Sequence, residues 1–81
     1  MVKLKTLAPN QVVVTEEEGT TLFSYDTPIC TKLLNGDIIL YPEWRCSVTT
    51  SKYRAKFLYE STKETQAQLD KGVYTLGYYY A

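Results

Sequence analysis

Ile29-Cys-Thr-Lys-Leu-Leu-Asn-Gly-Asp-Ile-Ile-Leu-Tyr-Pro-Glu-Trp-Arg-Cys-Ser-Val48 is the stretch on which the fold turns. Asn35-Gly36 stands between two apolar, β-prone runs. That is the strongest short-range hairpin signal, because a type I′ turn needs positive φ at both central residues. A two-residue loop sets Leu34 opposite Asp37, Leu33 opposite Ile38 and Thr31 opposite Leu40. One face then carries Ile29, Thr31, Leu33, Ile38 and Leu40 and can enter a core. The other, with Cys30, Lys32, Leu34, Asp37 and Ile39, is mixed and half wet, and Cys30 faces Tyr41. Past Pro42 the alternation resumes, with Trp44, Cys46 and Val48 against Glu43, Arg45 and Ser47. This predicts a further strand with Trp44 as a core anchor.

Towards the N-terminus the pattern remains that of a sheet. Thr20 to Tyr25 alternates, with Leu22 and Ser24 on one face and Phe23 and Tyr25 on the other, and Asp26-Thr27-Pro28 turns the chain. Val12-Val13-Val14 inside Gln11 to Thr15 is a β-branched run that favours a strand. The two segments read as an antiparallel pair joined by Glu16-Glu17-Glu18-Gly19, a solvated loop whose carboxylates lack calcium-loop spacing. Val2 to Leu7 reads as a short edge strand carrying two lysines, followed by a turn at Ala8-Pro9-Asn10.

Towards the C-terminus the regime changes at Thr49-Thr50-Ser51, hydroxyls suited to cap a helix beginning near Ser51. Lys52 to Glu60 fits two templates. As a helix, Tyr53, Phe57 and Leu58 share a stripe. As a strand, Tyr53, Ala55, Phe57 and Tyr59 alternate with Lys52, Arg54, Lys56 and Leu58. The hydroxyls in front and the helix formers inside favour helix. Ser61 with Glu64, or Thr65 with Gln68, makes a capping box for a second helix ending at Lys71, with Gly72 in the C′ position. Val73 to Leu76 reads as a last strand. The sum is an α+β domain spanning residues 1–81: an antiparallel β-meander of four to five strands, with one or two short helices packed on one face. Residues 77–81 form a strand extension or tail.

Composition bounds the function. The 81 residues make one small domain that buries roughly 60% of the surface its unfolded chain exposes, so self-association is a ready way to gain buried area. Nine basic and nine acidic residues cancel, which argues against a protein devoted to coating phosphate backbones. No apolar run approaches bilayer-spanning length, and the first residues lack the apolar core of a secretory signal, so a soluble intracellular protein is expected. Histidine is absent, which removes the usual general base and commonest metal ligand. No Gly-rich phosphate loop or Cys-x-x-Cys occurs, and no carboxylates stand in a spacing that forces a pair. The reading is a non-enzyme with no cofactor and no metal. Cys30 and Cys46 are read as small buried or half-buried thiols rather than a disulfide.

Leu22-Phe-Ser-Tyr-Asp-Thr-Pro-Ile29, Asn35-Gly36, Trp44 and Thr49-Thr-Ser-Lys-Tyr53 resemble a family of small, uncharacterised phage-borne proteins. That family runs Phe-Ser-Tyr-x-Thr-Pro-Val, a short Gly turn, a tryptophan, then Thr-Thr-Ser-Lys before a helix. The resemblance covers residues 11 to 71. It implies a phage or prophage origin, a host-cytoplasmic location and a helix after Thr50. The chain departs from the pattern after Gly72.

Two surfaces follow as candidates. Tyr78-Tyr79-Tyr80 places at least one ring on the opposite face from its neighbours, and exposed aromatics are enriched at protein interfaces. A protein partner, host or phage, is therefore the first expectation, with inhibition of a host defence protein as its concrete form. Lys52, Arg54 and Lys56, interleaved with Tyr53, Phe57 and Tyr59, give the alternative: a nucleic-acid-binding regulator in which aromatics stack bases. Homo-oligomerisation through the C-terminal strand is a third reading, and none of the three involves a membrane.

Overall fold

The computed structural model describes residues 3–45 and 47–78. It shows an α+β fold whose elements run β1 (Lys3–Ala8), β2 (Gln11–Thr15), β3 (Gly19–Ser24), β4 (Thr27–Leu33), β5 (Ile38–Leu40), α1 (Val48–Leu58), α2 (Thr62–Asp70) and β6 (Thr75–Leu76). The strands form one sheet in sequence order, antiparallel except for β6, which runs parallel to β5. Among the described residues the sheet has six strands, one beyond the upper end of the four to five expected, and its last strand joins by way of the helices rather than a hairpin.

The two central hairpins exchange the turns that the sequence predicts. The β3–β4 connection is the two-residue loop, with Ser24 opposite Thr27 and both Tyr25 (φ 52) and Asp26 (φ 63) left-handed. At the β4–β5 hairpin only Gly36 has positive φ (95). Leu33 N donates to Asp37 O and Gly36 N donates to Leu33 O, which makes a three-residue loop. Asp37 N also donates to Asn35 Oδ1 at 2.9 Å, so the Asn35 side chain serves the loop rather than its own φ. The register therefore moves by one residue: Cys30 meets Leu40, Thr31 meets Ile39 and Lys32 meets Ile38. Such a slip exchanges the faces of a strand. Thr31 leaves the expected core face, and Cys30 enters it.

The exchange has a packing reason. Cys30 also pairs with Leu22, so Leu22, Cys30, Ile38 and Leu40 line one face. A bulge between Leu22 and Phe23 leaves Ile29 as the extra residue of β4, and Ile29 joins the same core. Leu58 and Trp44 close this core from the helical side, with Val13, Phe57, Leu69 and Tyr74 at its margin. The predicted strand over Trp44 to Val48 is replaced by turns at 42–45 and the start of α1. Trp44 is nonetheless buried as expected, whereas Val48 is exposed; Cys46 lies outside the described residues.

Residues 52–58 are helical, and the cap lies upstream of the Thr-Thr-Ser cluster. Ser47 is the N-cap, its Oγ accepting from Thr50 N at 3.1 Å. Thr50 is buried instead and joins a polar chain that ties α1 to the sheet: Gln11 Nε2 donates to Ser24 Oγ at 2.9 Å, and Ser24 Oγ bonds Thr50 Oγ1 at 2.8 Å. Of the two predicted capping boxes, Ser61 with Glu64 forms, while Thr65 is buried inside α2 and donates to Glu60 Oε1. The Ser61 N–H and hydroxyl hold the Glu64 carboxyl below its ordinary range. Gly72, at φ 75, follows the helix as expected. Among the described residues no helix is long and apolar enough to cross a membrane.

Candidate functional site

α1 packs over β3 and β4, and the part of the same face formed by β1 and β2 stays open beside its end. There, Lys5 and Leu7 of β1, Val13 of β2, Lys32 of β4, and Tyr53, Lys56, Phe57 and Tyr59 of α1 and its cap line a groove of about 440 Å³. Its cations come from three elements. Lys5 stands opposite Val13 and Lys32 opposite Ile38, so both point to the helical side. Lys56 comes from the last turn of α1.

Aromatic rings lie against two of these ammonium groups, those of Lys32 and Lys56. Lys32 Nζ lies 4.7 Å from the Phe57 ring centre and 5.1 Å from that of Tyr59. Lys56 Nζ lies 5.4 Å, and Lys52 Nζ 5.8 Å, from the Tyr53 ring. Among the described residues no carboxylate lines the groove. A cation over a ring keeps its N–H donors for another partner, since the ring supplies only the diffuse negative charge of its π-face. Chemically, such an arrangement can accept an anion flanked by planar or apolar groups.

The structure divides the sequence candidates. Lys52 and Lys56 are exposed on α1, one turn apart. Arg54 is removed from the set because it is fully buried. Its Nη1 donates to Trp44 O at 2.8 Å, its Nη2 to Thr62 Oγ1 at 2.5 Å, and its guanidinium lies 5.0 Å from the Trp44 ring centre. Arg54 therefore pins the 42–45 turn and the start of α2 to α1. Lys5, Lys32 and the cap residue Tyr59 complete the groove. Lys5 and Lys32 were missed because their contribution depends on the strand register. Tyr78 is exposed and borders a second groove on the opposite sheet face; Tyr79 and Tyr80 lie outside the described residues.

That opposite face carries the cross-strand row Leu4, Val14, Thr21, Thr31 and Ile39. At its centre Thr31 Oγ1 bonds Thr21 Oγ1 at 2.6 Å and Tyr41 Oη at 2.5 Å. Glu16 and Glu18 border this side, so the acidic loop and the lysine groove open on different faces. A family model matches residues 2–73. The chain belongs to DUF8033, a family of unknown function. No curated protein and no solved structure matches it. The match to DUF8033 spans every groove-lining residue, from Lys5 to Tyr59, and ends before Tyr78.

Proposed function

We propose that this DUF8033 protein is a non-enzymatic binding module, phage-encoded and working in the host cytoplasm, that holds an anionic macromolecule in the lysine–aromatic groove. One observation carries the reading: Lys5, Lys32 and Lys56 converge from three separate elements on a concavity that, among the described residues, no carboxylate lines, in a chain of zero net charge. Like charges gathered at one site repel one another, and the arrangement gains most when an anion neutralises it. The phage origin and cytoplasmic setting rest on the sequence resemblance.

Retention on a heparin matrix tests the reading. Wild type is expected to be retained at low salt and to elute as salt rises, because polyanion contacts release counterions. The variant Lys5→Glu/Lys32→Glu/Lys56→Glu is expected to flow through with its melting temperature preserved. Equal retention of both proteins would refute the groove.

The sheet face opposite the helices favours a second reading, a host protein partner such as a defence component. Leu4 and Tyr78 are exposed there, and Val12, Val14, Leu33 and Ile39 are half-buried. Capture from host lysate with nuclease present tests it: Val14→Lys and a chain ending at Gly77 are expected to lose a partner that wild type retains. A partner captured equally by all three forms would place its contact elsewhere.

A further inference from the structure

We propose that the ligand of the groove is a single-stranded nucleic acid, with the ring of Tyr59 as the platform on which a base stacks and Lys5, Lys32 and Lys56 as its phosphate contacts. The proposal rests on the groove being an anion site and adds to it the class of ligand. Tyr59 caps α1 in the left-handed conformation, φ 59 and ψ 39, where helices ordinarily place Gly or Asn because a Cβ is penalised. The same conformation at Tyr25 is enforced by its two-residue hairpin loop, which needs positive φ at both positions. Nothing comparable demands a tyrosine at 59. Its backbone N–H makes the capping bond to Ala55 O, which any residue but proline would supply.

The Tyr59 side chain does not serve the core either, being 89% exposed. A large ring kept in an unfavourable backbone conformation, solvent-facing and on the wall of a groove, points to a ligand. Lys32 lies against it and against Phe57, so ring and ammonium form one unit. Single-strand binders combine these two elements, cations that track the backbone and aromatic faces on which bases stack. An acidic protein segment would use the lysines and gain little from the ring. The groove volume of about 440 Å³ suits a ligand the size of a nucleotide, with the chain continuing along the exposed edge strand β1.

The test uses fluorescence anisotropy of the full-length protein with a labelled oligothymidylate of about ten nucleotides, within the usual site sizes. Wild type is expected to bind at low salt, with affinity falling along a log–log slope of about −2 for three phosphate contacts. Tyr59→Gly is expected to melt no lower than wild type, since glycine suits the cap, yet to bind about five-fold more weakly or worse. Lys32→Gln/Lys56→Gln is expected to weaken binding and flatten the slope. If Tyr59→Gly binds as wild type does, the stacking platform is wrong. If the protein is retained on heparin through its lysines but does not bind the oligonucleotide at ~1 mM, above the usual non-specific range, the ligand class is wrong while the anion site stands. Competition by poly-glutamate as effective as by oligothymidylate would likewise overturn the nucleic acid in favour of an acidic protein segment.

Discussion

Arg54 is held by a carbonyl, a hydroxyl and the face of an indole, and burial depresses its pKa. Truncation would leave the Trp44 carbonyl and the Thr62 hydroxyl without their charged donor and open a cavity against the indole. Arg54→Ala is therefore expected to cost about 3 kcal/mol in urea unfolding; a loss below ~1 kcal/mol would show that the guanidinium is not a structural tie. In sequence Arg54 reads as one of three evenly spaced cations. Residues two apart on a helix point to nearly opposite sides, whereas residues four apart share one. Helix geometry therefore sets Arg54 apart from Lys52 and Lys56, although the sequence analysis groups all three as one patch. Cys30 carries a second prediction. Burial pushes its thiol from 9.0 up to about 12, with the nearby Arg54 and Lys32 charges pulling the other way. The folded protein keeps this proton above pH 9 while the unfolded chain loses it, so stability is complete below that pH and declines as pH rises towards 12. Tyr74, raised by burial and by its bond to Glu60, adds to the decline on the same alkaline side. Denaturation midpoints followed from pH 8 upward are expected to fall, and less steeply in Cys30→Val.

At the scale of elements, the strands and helices were legible where local chemistry alone decides them. The Val12-Val13-Val14 run, the Ser61–Glu64 box and Gly72 act within a few residues of themselves, and each does what its sequence implies. The hairpin register was not legible. Asn35-Gly36 supports either a two-residue or a three-residue loop, and the choice rests on which face of β4 matches Leu22 across the strand. Gly19 shows the same dependence on tertiary fit. A Cβ there would meet Lys32 O at 2.2 Å and Leu33 Cα at 3.0 Å, so β3 and β4 approach too closely for any side chain. Gly19→Ala is expected to lose about 1–3 kcal/mol by overpacking against rigid backbone. By contrast, Ser61→Ala removes only the cap of α2 and is expected to cost about 1 kcal/mol. Chemical denaturation of the two variants side by side checks the order; a reversed order would mean that β3 and β4 separate easily.

Over the whole molecule, the zero net charge conceals a separation that the fold creates. The lysine groove opens on the helical face, and the Glu16 and Glu18 side chains border the groove on the other. Composition could not reveal this, because sequence counts charges without assigning them to faces. The separation predicts how an anionic ligand approaches. Glu16→Gln/Glu17→Gln/Glu18→Gln leaves nine basic and six acidic residues, a change in formal charge from 0 to +3. If the glutamates act only through the long-range field, the triple variant is expected to associate with oligothymidylate several-fold faster at low salt. The gain should vanish near 1 M salt, where the screening length shrinks to about 3 Å, while the dissociation rate stays unchanged throughout. Stopped-flow measurements across a salt series read both rates. A gain that persisted at high salt, or that appeared in the dissociation rate, would mean that the glutamates touch the ligand. The binding surface would then lie on the Thr21–Thr31–Tyr41 face instead of the lysine groove.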